Sequence, residues 1–133
     1  MDVAPGLSAT VEREVTPEMT AEALGSGDVA VLGTPAVLTL AEAAAVAAVA
    51  RRLDEGSTTV GSWVEVHHLA PTPVGATVSA TATLVSVEGR RLTFDITVSD
   101  PAGDVAEVRH TRAVVPRGPF LATARSRVAA PGA

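Results

Sequence analysis

Thr34 to Leu53, TPAVLTLAEAAAVAAVARRL, constrains this chain more than any other stretch. It reads as one long helix. Thr34 is placed to cap it, with its hydroxyl accepting from an unpaired backbone N–H of the first turn. Pro35 then takes the first helical position, where a missing N–H costs nothing. The interior is Ala, Leu and Val, and alanine is the strongest helix former. Arg51 and Arg52 suit the negative end of a helix dipole, and Gly56 closes the segment. Between Pro35 and Ala50 the one ionisable residue is Glu42. A helix apolar on every side is expected to be buried on every side. A carboxylate on such a helix is costly unless it is paired, so Glu42 asks for a reason.

The 133 residues suit one domain with a core of its own. Net charge is -5 with no basic run, so nucleic acid is not an expected partner. The absence of cysteine excludes disulfides, thiolate metal sites and a cysteine nucleophile. The opening MDVAPGLSAT has neither a basic nor an apolar signal-peptide region. The apolar part of the helix is too short and Ala-rich for a membrane span of ~20 strongly apolar residues. A cytoplasmic protein without a membrane partner is the expectation. Aromatic residues make up only 2%, so the core must be built from Val, Ala and Leu, whose small side chains permit close packing.

Before the helix, Leu7 to Val15 alternates as a first strand. Thr16-Pro17-Glu18 starts a short helical turn reaching about Leu24, followed by a loop at Gly25 to Asp28. After the helix the texture becomes β. Strands are expected at Thr58–Leu69, Ala76–Val87, Arg91–Ser99 and Asp104–Val115. Pro71 to Gly75 separates the first two, and Glu88-Gly89 and Asp100 to Gly103 form hairpins.

Counting faces gives the architecture. Four consecutive, closely linked strands must be antiparallel. A single sheet buries one side of a helix, so it must curl, and a second subunit or the N-terminal segment must cover the rest. The fold class is therefore α+β. A curved antiparallel sheet of about five strands wraps one long central helix, the hotdog arrangement. Residues 1–118 form this single domain, and 119–133 are a C-terminal tail, mobile at its end. The leftover apolar surface predicts a homodimer with sheets joined edge to edge.

Three side chains can carry chemistry. Period-2 alternation puts His68 on the face of Val64 and Val66, and His67 on the opposite face with Trp63 and Glu65. The two histidines diverge, so no joint metal site is expected. Taken alone, His68 also fits a buried histidine satisfied by one hydrogen bond. Thr34 fits a cap, and Glu42 fits an ion pair with an arginine. Thr34 and Glu42 lie eight residues apart, on similar sides of the helix. Converging near its N-terminal half, a hydroxyl, a carboxylate and an imidazole suit hydrolysis of an activated acyl group. A helix N-terminus also offers N–H groups to a thioester oxygen.

The chain resembles hotdog proteins of the fluoroacetyl-CoA thioesterase type, within the acyl-CoA thioesterase superfamily. Four places between Gly33 and Val115 carry the likeness. They are the Thr34…Glu42 spacing, the run from His68 through Thr72 to Gly75, the hairpin Ser86 to Leu92, and His110 to Val115. The resemblance implies a catalytic set of Thr34, Glu42 and His68, in a homodimer with the active site near the subunit interface. It implies that Arg112 contacts the CoA part, and it groups Thr72 and Gly75 with Arg112 as substrate-binding residues. By local reading Gly75 serves backbone geometry, and Arg90 and Arg91 are solvated turn charges. No cofactor is implied, since CoA is part of the substrate. Two features depart from the family pattern. Glu18 to Gly33 holds no aromatic residue where the fluoroacetyl-CoA enzyme has an aromatic lid. Pro35 follows Thr34 where the family tends to have glycine.

The expected function is hydrolysis of a short or medium acyl-CoA, or a related acyl thioester. The alternative is a non-catalytic hotdog protein that binds or sequesters an acyl or other small ligand. A purely structural dimer leaves Glu42 unexplained. The sequence leaves the acyl group, the choice of CoA or carrier protein, and dimer or tetramer open.

Overall fold

Alternation and hairpin chemistry produce a five-stranded antiparallel sheet with the Ala-rich helix lying across its inner face. This is a computed structural model describing residues 1–129. The strands are β1 (Ser8–Glu14), β2 (Ser57–His68), β3 (Thr77–Glu88), β4 (Arg91–Asp100) and β5 (Gly103–Pro116). Their order is β1-β3-β4-β5-β2, so β1 and β2 are the two edges. A 3-10 turn at Pro17–Met19 and the short α1 (Ala21–Leu24) lead to the central helix α2 (Thr34–Val49). A further helix, α3 (Arg117–Ser126), follows β5. It occupies the start of what the sequence reading treats as a tail. Pro119 sits in its first turn, where proline does no harm. The expected mobility of the tail's end falls on residues outside those described.

The strand bounds lie within about one residue of the alternation pattern. Leu92, Phe94, Ile96 and Val98 of β4 face inward and are buried, as their period-2 spacing requires. Opposite them stand Val37, Leu40, Ala41, Ala44, Ala45 and Val49 of α2. Alanines on the helix meet Ala80 and Ala82 on β3, so the two layers approach closely. Phe94 is the largest fully buried side chain, and its burial contributes about 1.5–3 kcal/mol.

The cap expected for α2 is corrected. Gly33, not Thr34, is the cap residue, with extended backbone at φ -78° and ψ 149°. A Cβ there would lie 3.0 Å from the Ala21 nitrogen and 3.1 Å from its Cα, so α1 would have to give way by a few tenths of an ångström to admit a side chain. Thr34 thus enters the helix and its hydroxyl is released from capping. The helix is not covered on every side within one chain. Pro35, Thr39, Val46 and Ala47 are exposed, and Leu38, Glu42 and Ala43 are half-buried. The sheet covers one side only, and this stripe is the other. Among the described residues, no helix is long and apolar enough to cross a membrane.

Candidate active site

Thr34 is the first residue of α2, and its Oγ1 lies 2.8 Å from Nδ1 of His68 at the end of β2. His68 faces inward as its alternation predicts, whereas His67 points out and bonds Glu65 at 2.9 Å. The Nε2 of His68 is buried without a hydrogen-bond partner among the described residues.

Glu42 belongs to a second cluster. At a rise of 1.5 Å per residue it sits about 12 Å along the helix from Thr34. Its Oε2 accepts from Nη1 of Arg112 at 3.0 Å and lies 3.7 Å from Nε2 of His110. Arg112 is buried on β5, directly opposite Gly61 of β2. Its Nε donates to the Thr59 hydroxyl at 2.9 Å and its Nη2 to the Thr59 carbonyl at 3.0 Å. The second Nη1 hydrogen meets His110 Nε2 at 3.1 Å. A buried guanidinium is tolerated because these acceptors replace its water.

Gly61 makes room for the cluster. A Cβ there would stand 2.7 Å from Glu42 Oε2 and 3.2 Å from His110 Cε1. The strand bulges between Gly61 and Trp63, as strands do where something approaches the backbone closely. An open cleft of about 390 Å³ lies over the bare backbone, bounded by Leu38, Glu42, Gly61, Trp63, Val64 and His110. Among the described residues no donor is bonded to Glu42 Oε1, which leaves one oxygen of the carboxylate for chemistry.

His110 is neutral in this setting. Its Nδ1 is 2.8 Å from the Trp63 carbonyl, which can only accept, so Nδ1 carries the proton, while Nε2 faces the Arg112 Nη1 donor at 3.1 Å and is bare. Burial pushes its pKa below the ordinary 6.5. The Trp63 carbonyl opposes that, Arg112 adds to it, and Glu42 opposes it.

Of the residues grouped with substrate by resemblance, Arg112 lies in the Glu42 cluster, and Thr72 and Gly75 lie outside both clusters. Arg112 is buried beneath Glu42 rather than at a mouth. Thr72 is fully buried and donates to Asp100 Oδ2 at 2.8 Å, while its carbonyl accepts from Leu32. Gly75 has φ +95° and donates its N–H to the Val15 carbonyl, a turn requirement. The segment without aromatics leaves an apolar hollow of about 350 Å³ beside α2, walled by Met19, Leu24, Pro35 and Ala36. Among the described residues no group of three or more metal-type ligands occurs. Sequence reasoning missed Thr59, Gly61 and His110. A glycine inside a β pattern and the inward pair His110/Arg112 were the available signals.

The sequence profile of the fluoroacetyl-CoA-specific thioesterase family, FlK, matches residues 15–118. The chain belongs to this family. That span includes both clusters and makes this FlK-family chain a thioester hydrolase by descent. The fluoroacetyl-CoA thioesterase of Streptantibioticus cattleyicolor is 38% identical over 100 residues, covering 75% of this chain and 72% of that one. A solved FlK variant in complex with acetyl-CoA superposes with a TM-score of 0.90 at 32% identity, covering 95% of this chain and 99% of that chain. A hot-dog-like protein from Thermanaerovibrio acidaminovorans gives 0.86 at 28% identity, covering 95% and 93%. The hotdog fold derived from face counting is thereby established.

Proposed function

We propose that this FlK-family chain hydrolyses a short or medium acyl-CoA, or a related acyl thioester, with Glu42 as the central group. The observation that carries this reading is the Glu42 carboxylate, pinned through Oε2 by Arg112 and held over the bare backbone of Gly61 in an open cleft. Oε1 supplies the attack on the thioester carbonyl, either with its own oxygen or with that of a water it deprotonates. Collapse of the tetrahedral species breaks the C–S bond, and His68 delivers a proton to the departing thiolate; where Glu42 itself attacks, water then hydrolyses the acyl anhydride and frees the carboxylate, and on either route the proton lost by water restores His68. Thr34 orients His68 and the acyl group. Arg112 acts by holding Glu42, in place of the CoA contact expected for it.

The two clusters are separated along one helix, and the exposed stripe of α2 and the exposed Trp63 on edge strand β2 await a cover. A homodimer supplies it. A twofold axis that sets two α2 helices antiparallel brings the start of each against the middle of the other. Thr34 and His68 of one copy then face Glu42 of the second. Pro35 removes one N–H from the helix tip, so the carbonyl oxygen is held by later amides or by Thr34.

The test is thiol release from a panel of acyl-CoAs, acetyl and fluoroacetyl included, by the natural protein and by Glu42→Gln. Turnover that falls by about 10²-fold or more in the variant is the expected result. Full activity in a folded Glu42→Gln protein overturns the assignment. Tight binding without turnover across the panel favours the ligand-binding alternative, for which the hollow beside α2 is the natural seat.

A further inference from the structure

His110 is 2% exposed, and both of its ring nitrogens are spent. A core filler at this position needs neither bond, and a buried polar ring is retained at a desolvation cost. The two bonds run in opposite senses. Nδ1–H donates to the Trp63 carbonyl, beside the bulge at Gly61. Nε2 accepts from Arg112 Nη1, whose other hydrogen goes to Glu42. The ring therefore ties the β2 backbone under the cleft to the guanidinium edge that orients the carboxylate. Thr59 fixes the other side of the same guanidinium through Nε and Nη2. With both sides fixed, Nη1 has one hydrogen left, and it points at Glu42.

We propose that His110 is a positioning residue for hydrolysis: its bare Nε2 locks the Arg112 edge that aims Glu42 Oε2, leaving Oε1 turned toward the substrate. The opposite tautomer, or a protonated ring, sets an N–H against Nη1 and competes for Oε2. The charged groups facing the ring are Glu42 from α2 and Arg112 from its own strand. Its cross-strand neighbours, Val64 on β2 and Phe94 on β4, are apolar.

This inference rests on the role given to Glu42, and the experiment separates the two. Glutamine at position 110 retains an acceptor near the place of Nε2, and asparagine retains only a donor near that of Nδ1. We expect His110→Asn to lower kcat by about tenfold or more with KM little changed, and His110→Gln to restore most of the loss. Circular dichroism and melting temperature establish that both variants are folded. Equal losses in the two variants, tracking their melting temperatures, overturn the inference in favour of a structural role. Natural kcat in His110→Asn overturns it while Glu42→Gln, assayed alongside, is inactive. Full activity in Glu42→Gln overturns both readings. A readout independent of turnover is the 15N spectrum of the imidazole in the natural protein. A protonated Nδ1 with a bare Nε2 is expected, and the reverse tautomer overturns the proposal.

Discussion

Thr34 Oγ1 and His68 Nδ1 stand 2.8 Å apart although 34 positions separate them along the chain. The first begins the central helix and the second ends the edge strand, so the contact reports that helix and strand are seated in register. Thr34 is free for it because Gly33 has taken over the cap.

This separation from Glu42 leads to a complementation experiment. Thr34→Val and Glu42→Gln should each be nearly inactive. Refolded together, half of the dimers are mixed, and each mixed dimer has one intact site out of two. About a quarter of the natural activity should return. A mixture as inactive as its components would place the whole site within one copy.

Gly61→Ala should damage the site more than its one methyl suggests. The new carbon would stand 2.7 Å from Glu42 Oε2, so the carboxylate must leave its place or the strand must shift. A stability loss of about 1–3 kcal/mol is expected from urea unfolding, with a fall in kcat well beyond it. Natural kcat in Gly61→Ala would show that Glu42 needs no fixed position over the strand.

Two groups make stability fall on acidification, in different windows. His110 is held below its ordinary 6.5. In the unfolded chain it takes up a proton that the folded chain refuses. Its contribution is therefore complete above 6.5 and is lost as pH falls through the lower folded value. Asp100 is held below its ordinary 3.8, first by the Thr72 hydroxyl and then by the Ala102 N–H. Its contribution is complete above 3.8 and is lost in stronger acid. Urea midpoints measured from about pH 7.5 to about pH 5 should decline for the natural protein and stay flatter for His110→Gln. Parallel curves would remove His110 as the cause.

Much of the fold was legible because its signals are local. Thr and Val in alternation, two short hairpins and a run of alanines specify strands and a helix residue by residue. Glu42 was legible as the lone charge on that helix, and His68 through the parity of its strand. An arginine partner for Glu42 was legible as a kind of residue, but which arginine, and how it is held, was not. The clamp depends on Gly61 and Arg112 being opposite each other in β2 and β5, a pairing that periodicity along one strand does not encode. Arg112 alone resembles any strand arginine until its glycine partner removes the side chain in its way. The release of Thr34 from capping depends on the close passage of Ala21, a contact between elements.

The empty place at position 61 decides how this cleft can be re-engineered. A side-chain library gains nothing at Gly61, because every alternative residue begins with the same obstructing carbon. Leu38 and Val64 border the same cleft and are half-buried or exposed. Variation at those two positions can reshape the room for the acyl group while the ion pair beneath it stays as it is.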